Sequence, residues 1–390
     1  MSVIYLDNNA TTRVDDAVFE EMRPYFGELY GNPSSMHYFG GQVQKKVDEA
    51  RNRVAALLGA EPSEVIFTAC GTESDNAAIR SAIDCFPDRR HIITTRVEHP
   101  AVLTLCRSLT KKGYRVTELG VDSAGRLDLS ELQRSLDDDT AIVSVMWANN
   151  ETGVVFPIEE IGAMVKERGV LFHTDAVQAV GKIPINMASS TVDLLAISGH
   201  KLHAPKGIGA LYVRKGTPFR PFMVGGHQEK NRRAGTEATS SIIALGKACE
   251  LAASWMEDEN TRVKALRDRL ESELLRLVPA ARINGGGAER LPNTVSIAFE
   301  FVEGEAILLL LSEKGICASS GSACTSGSLE PSHVLRAMGV PFTCAHGSIR
   351  FSLSRYSTDA EVDMVIRELP PIIQRLREIS PFGRELLGRG

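Results

Sequence analysis

The sequence lacks what a secreted or membrane-spanning chain would need. No two of its cysteines have Cys-x-x-Cys spacing, and the seven cysteines are odd in number and irregularly placed. That argues against a disulfide framework and for a reducing, cytoplasmic setting. His200 and His203 stand three apart with no matching cysteines nearby, so no structural zinc site is expected. The longest apolar run, Ala306 to Leu311, is far too short to span a bilayer. Met1 to Asn9 has no basic region before an apolar run, so no signal peptide is expected. An excess of one charge is also missing: 44 Lys and Arg against 49 Asp and Glu leave a net charge of -5. Nothing in that balance attracts nucleic acid or an anionic membrane. No internal repeat of useful length is present.

What the chain does have is length and alternation. Its 390 residues, 43% hydrophobic and 24% charged, suffice for two or three domains with a large core. The apolar residues Val43, Val47, Ala50, Val54 and Leu58 recur at helical spacing and stop at Gly59, a residue suited to a helix C-cap. From residue 64 onward, short β-rich runs alternate with helical ones: 64–68, 90–95, 114–119, 141–146, 170–173, 192–197 and 208–213 read as strands. Strands separated by helices of about ten residues mean βαβ units and a largely parallel sheet covered on both faces. Polar residues fall repeatedly just after these strands, at His99, Asn149, Asn150, Asp175, Gln178 and Lys201. They mark the edge of an open α/β sheet where ligands bind. After Pro279 the pattern changes, with strands at 294–299, 316–319 and 348–354 and helices at 303–314 and 359–377. A large domain over 15–260 and a smaller α/β domain from 1–14 and 261–390 are expected.

Three stretches carry chemistry. Ser198-Gly-His-Lys201 lies in a turn between two strands, where a lysine amine can be fixed facing a cavity and become an imine; alone, the tetrapeptide fits a solvated basic turn equally well. Cys70-Gly-Thr-Glu-Ser-Asp75 opens a helix, and Thr72 with Asp75 fits a capping box; the same first turn could bind a phosphate. Residues 319–328 hold Cys324 in almost pure Ser and Gly. Cysteine prefers an apolar site, so a thiol in a flexible polar loop points to a nucleophile. The other six cysteines sit in or beside apolar or helical stretches and read as inert. The segment 224–237 reads either as a solvated loop or as a donor-rich surface for an anion, and Asn32 before Pro33 either as a turn or as an amide offered to a ligand.

Taken in order, these pieces resemble a known family. Tyr-Leu-Asp-Asn-Asn-Ala-Thr-Thr at 5–12, Gly-Asn-Pro-Ser-Ser at 31–35, Cys-Gly-Thr-Glu-Ser at 70–74 and Glu-His-Pro-Ala-Val at 98–102 are followed by Asn-Asn-Glu-Thr-Gly at 149–153 and His-Thr-Asp-Ala-Val-Gln at 173–178. Ser-Gly-His-Lys at 198–201, Arg-Arg-Ala-Gly-Thr-Glu at 232–237 and Gly-Ser-Ala-Cys-Thr-Ser-Gly at 321–327 complete the series. The chain resembles the cysteine desulfurases of the class-V aminotransferase family, enzymes of the pyridoxal-phosphate fold type I, and among them the nitrogen-fixation branch.

That resemblance implies a large domain with a mainly parallel seven-stranded sheet flanked by helices, and a smaller C-terminal α/β domain. It implies pyridoxal 5'-phosphate on Lys201, Asp175 against the ring nitrogen, Gln178 on the ring hydroxyl and His99 over the ring, assisting proton transfer. Gly71, Thr72, Ser198 and His200 would hold the phosphate, with Thr236 reaching in from the other subunit of a homodimer. Asn150, which also borders the cofactor, and Arg350 would hold the carboxylate of L-cysteine, assisted by Asn32. Cys324 would take the sulfur as a persulfide and pass it to an iron-sulfur scaffold protein, with no resident metal and Cys324 a transient iron-sulfur ligand at most. The sequence departs from the family at Cys70, where many relatives carry threonine or alanine, which leaves a second reactive thiol conceivable. A housekeeping cysteine desulfurase, a selenocysteine lyase and a general aminotransferase or β-lyase share most of this equipment.

Overall fold

A computed structural model describes residues 3–320 and 331–380. The chain enters through the two-residue strand β1 (Ile4–Tyr5) and the helices α1 (Asp16–Met22) and α2 (Tyr38–Leu58). Helix α2 forms for the reason its spacing predicts: Val43, Val47, Ala50, Val54 and Leu58 are all buried. Gly59 ends it at φ +62°, a left-handed conformation that costs glycine little. The buried stripe lies on the helix Thr239–Ser254, and the approach is close. A Cβ added at Gly246 would stand 2.5 Å from Ala50 Cα, so glycine is what lets the two backbones meet.

The strand and helix alternation follows as β2 (Val65–Thr68), α3 (Gly71–Cys85), β3 (His91–Thr95), α4 (Pro100–Thr110), β4 (Arg115–Leu119), α5 (Leu129–Ser135), β5 (Thr140–Ser144), α6 (Ile158–Glu167), β6 (Leu171–Asp175), β7 (Leu194–Ser198) and β8 (Gly209–Val213). These strands make one seven-stranded sheet in the order β2-β8-β7-β6-β5-β3-β4. It is mainly parallel; β8 runs against both of its neighbours, β2 and β7. Strands β3, β5, β6, β7 and β8 are buried along their whole length. That burial is why they read as continuous apolar runs rather than as alternating ones.

A second core surrounds the three-stranded antiparallel sheet of β9 (Ala281–Ile283), β10 (Thr294–Phe299) and β12 (Ser348–Ser352), in the order β12-β10-β9. Strand β1 pairs in parallel with β11 (Ile316–Cys317), and Ile4 and Leu6 pack into this second core beside Leu270, Phe299 and Phe351. Within the C-terminal third, Val334, Leu335 and Met338 pack instead into the large core.

One local expectation is corrected. Thr72 and Asp75 form no capping box: the residue at the N-cap of α3 is Cys70, whose side chain makes no capping bond. Asp75 is instead buried beneath the helix, and it is Glu73 that reaches back, accepting from the Ala69 amide at 2.7 Å.

Candidate active site

The C-terminal ends of β2, β5, β6 and β7 converge on one cavity of about 320 Å³, a size that suits a cofactor-sized ligand. The turn after β2 contributes Cys70, Gly71 and Thr72. The segment after β5 contributes Met146 and Asn150, the end of β6 gives Asp175, Val177 and Gln178, and the turn after β7 gives Ser198, His200 and Lys201. His99 enters from the start of α4, Arg350 from β12, and Asn9 and Ala10 from the N-terminal arm. Ten side chains that the sequence marks therefore share one wall or another: Thr72, His99, Asn150, Asp175, Gln178, Ser198, His200, Lys201, Arg350 and the half-buried Cys70.

Lys201 sits in a single 3-10 turn, Gly199–Lys201, straight after β7. Its Nζ donates to the carbonyls of Asn9 at 2.6 Å and Ala10 at 2.7 Å, which hold the amine inside the cavity. Asp175 ends β6 and is 6% exposed. Burial pushes its carboxyl up to about 6, against the Val177 amide and Lys201, which both favour the anion. A cationic ring nitrogen at this carboxylate would favour the anion further. His99 caps α4, its Nδ1 accepting from the Ala101 amide at 3.2 Å. Burial, then Lys201 and His333, push it down to about 4, so the ring is neutral and carries its proton on Nε2. His200 is likewise held down to about 4, by burial first and then by Lys201, Lys206 and His99.

Several features fit pyridoxal phosphate. Gln178 Nε2 is fixed on the Asn9 carbonyl at 3.0 Å, while its buried Oε1 has no partner and can accept from a ring hydroxyl. The first turn of α3 has no side-chain cap, so its amides face the cavity edge as an anion site. A Cβ at Gly71 would come within 2.9 Å of Val177 Cγ2 and 3.4 Å of Ser198 Cβ, so that cradle needs glycine.

Arg350 is buried and braced on two sides, with Nη1 on the Asn150 carbonyl at 2.9 Å and Nη2 on Asp7 Oδ1 at 2.8 Å. Asn150 thus orients the guanidinium through its backbone. Asn149 is used in the turn itself: Oδ1 accepts from the amides of Glu151 and Thr152, and Nδ2 donates to the Val97 carbonyl. Asp7, Asn9 and Ala10 join the site without any role expected from the sequence. The signal was there, because a polar run directly after a two-residue strand is a strand-end position like the others.

Asn32 and Thr236 do not line this cavity, and both are exposed. Their loops meet elsewhere on the surface, where Ser34 Oγ lies 3.4 Å from Glu237 Oε2. Cys324 and its loop lie outside the described residues. The ends of that loop are held close to the cavity: Ser319 pairs with Arg350 through both backbone bonds, Ser332 donates to the buried Glu151 carboxyl, and His333 Nε2 donates to the Glu98 carbonyl at 2.9 Å. The six described cysteines are all free. Among the described residues no cluster of His, Cys, Asp and Glu could hold a metal ion, and no helix is long and apolar enough to cross a membrane.

A sequence model of the class-V aminotransferases matches residues 4–365. A cysteine desulfurase of Nostoc sp. is 63% identical over 388 residues, covering 100% of this chain and 97% of that protein. The cysteine desulfurase NifS of Azotobacter vinelandii is 60% identical, covering 98% of this chain and 95% of its own length. Among solved structures, a NifS-like protein superposes with a TM-score of 0.90 at 41% identity, over 96% of this chain and 100% of that one.

Proposed function

Since the chain belongs to the class-V aminotransferase family, as a full-length relative of its cysteine desulfurases, we propose that it uses pyridoxal 5'-phosphate to convert L-cysteine to L-alanine. The sulfur passes by way of Cys324 to an iron-sulfur scaffold protein serving nitrogenase cluster assembly. The observation that carries this reading is the meeting of Lys201, Asp175, Gln178, His99 and Arg350 around one cavity. The nitrogen-fixation role draws its support from the NifS relative.

Pyridoxal phosphate, when bound, supplies an aldehyde for an amine and a ring that accepts electrons from the substrate Cα. The chain's own residues do the rest. Thr72, Ser198, His200 and the Gly71 turn would hold the phosphate, and the Asp175 carboxylate would keep a proton on the ring nitrogen. Gln178 Oε1 would accept from the ring hydroxyl, and neutral His99 would lie against the ring. Arg350, kept in place by Asp7 and Asn150, takes the substrate carboxylate. Lys201 Nζ would leave the carbonyls of Asn9 and Ala10, take the proton from Cα, hold it for the carbon that carried the aldehyde, and restore a proton to Cα once the sulfur has left. The Cys324 thiolate attacks the substrate sulfur; its S–S bond forms as the Cβ–S bond breaks, the electron pair of that bond stays on the carbon skeleton, Cβ takes up a proton, the skeleton leaves as alanine and the sulfur stays as a persulfide. Atoms balance without an external oxidant.

The homodimer belongs to the same proposal. The loops that carry Asn32 and Thr236 meet through Ser34 and Glu237 on the surface, outside the cavity of their own chain, where a second copy could take the two residues into its site. Apolar side chains stand open in those loops, with Met36 and Val224 more than four-fifths exposed, as an interface would explain. The free thiols suit a reducing cytoplasm. The test is product identity. With L-cysteine and a thiol reductant, alanine and sulfide should form in equal amounts, and neither should form with Lys201→Ala. Pyruvate and ammonia in place of alanine would make the protein a β-lyase.

A further inference from the structure

His173 and Asp175 lie two residues apart on β6, so both side chains leave the same face of the sheet. Helix α3 packs across β5, β6 and β7 and brings Asp75, on its second turn, into that layer. Asp75 Oδ1 lies 3.5 Å from His173 Nε2, with the side chains 1% and 0% exposed. Neither atom has another hydrogen-bond partner. The other ring nitrogen, Nδ1, lies 2.8 Å from Ser144 Oγ, on the residue paired with His173 across β5 and β6.

The Ser144 hydroxyl can serve either tautomer of the neutral ring: with Nε2–H toward Asp75 the carboxylate would be a buried anion, and with Nδ1–H on Ser144 an anionic Asp75 would face a lone pair, two acceptors against each other in a dry layer. One proton between them removes the conflict. Burial acts first to keep Asp75 protonated, and the Asp175 anion beside it acts in the same direction; Glu98 and Cys70, the other titratable groups that face it, add to this only when ionised. His173 is held neutral by burial, down to about 3. Glu98, pushed up to about 8 chiefly by burial, is also uncharged at neutral pH.

We propose that Asp75 is a neutral carboxylic acid that donates its proton to His173 Nε2, and that this positioning pair leaves Asp175 as the single anion of the buried wall facing the cofactor's ring nitrogen. The second half of the proposal rests on the cofactor reading above; the acid–imidazole bond does not.

The two halves are tested separately. On the full chain as purified, the infrared difference between the parent and Asp75→Asn at neutral pH should contain the C=O stretch of a protonated carboxylic acid, moved in D2O. Its absence overturns the proposal, whatever the cofactor does. On the loaded enzyme, the pH midpoint of the cofactor's absorbance is compared among the parent, Asp75→Asn, His173→Gln and the double variant. The amide introduced by Asp75→Asn can donate to Nε2 as the acid does, so its midpoint should match the parent's. His173→Gln replaces the lone pair with an N–H, favours an ionised Asp75, and should move the midpoint upward by about one pH unit or more. Adding Asp75→Asn should bring it back. Equal midpoints in all four proteins, or a shift in Asp75→Asn as large as that in His173→Gln, overturns the role at the cofactor. A parent that never develops the cofactor's absorbance would refute the function reading, while the infrared band still decides the state of Asp75.

Discussion

A methyl group at Gly71 separates the phosphate cradle from the stability of the fold. The added Cβ would stand 2.9 Å from Val177 Cγ2 and 3.4 Å from Ser198 Cβ, where carbon atoms prefer about 3.5–4.0 Å. Valine is stiff about χ1 and sits on the turn that follows Asp175, so the start of α3 must move away from the β6 and β7 ends by several tenths of an ångström. Alanine gains about 1 kcal/mol over glycine in a helix, and overpacking costs about 1–3 kcal/mol, so net stability should change by no more than about 2 kcal/mol. Displacing one charge-assisted bond to the phosphate costs about 1.5–3 kcal/mol, a cofactor Kd weakened about ten- to a hundredfold. Fluorescence titration of the cofactor-free protein reads the Kd, and urea unfolding reads the stability. Val177→Ala in the same chain should recover most of the affinity. If Gly71→Ala binds cofactor as tightly as the parent, the first turn of α3 is not the phosphate site.

Other predictions follow from the same contacts. Arg350→Lys keeps the charge but cannot span both the Asn150 carbonyl and Asp7; KM for L-cysteine should rise by about ten- to a hundredfold, and an unchanged KM would remove Arg350 from substrate binding. Ser332→Ala removes the donor to buried Glu151 and the cap on the amides of Val334 and Leu335. Urea unfolding should show a loss of about 2–4 kcal/mol, and a loss under about 0.5 kcal/mol would refute the tether. Glu98 has its pKa raised from 4.5 to about 8, so the folded chain keeps a proton that the unfolded chain has released. Its contribution to stability is therefore fully present below about pH 4.5, falls as pH rises, and levels off above about pH 8. The melting temperature of Glu98→Gln should fall less across that window than the parent's; equal falls would mean that Glu98 is ionised in the folded chain.

The large sheet was legible because its strands are buried along their whole length and its connections are long enough to be helices. Strand β9 was not: it has three residues, half-buried at its ends and exposed at Arg282, so neither alternation nor an apolar run marks it. The residues after the large strands were legible as a site because a parallel sheet puts all those ends on one edge. Asp7 was missed because its role depends on β12, more than three hundred residues away. Asp75 was misread because capping-box spacing is a local signal, while burial against His173 is a tertiary one. The loops of Asn32 and Thr236 carry motifs, but within the single chain neither residue lines the cavity, so their role rests on the homodimer proposed above.

The measurement that bears most directly on the central claim follows the sulfur atom. The parent, mixed with one equivalent of sulfur-labelled L-cysteine and no reductant, should release alanine and carry the label as a persulfide on the peptide containing Cys324, as read by mass spectrometry. Lys201→Ala should do neither, and Cys324→Ala should release no sulfur. Label on the Cys70 peptide, or sulfur released by Cys324→Ala as fast as by the parent, would contradict the account.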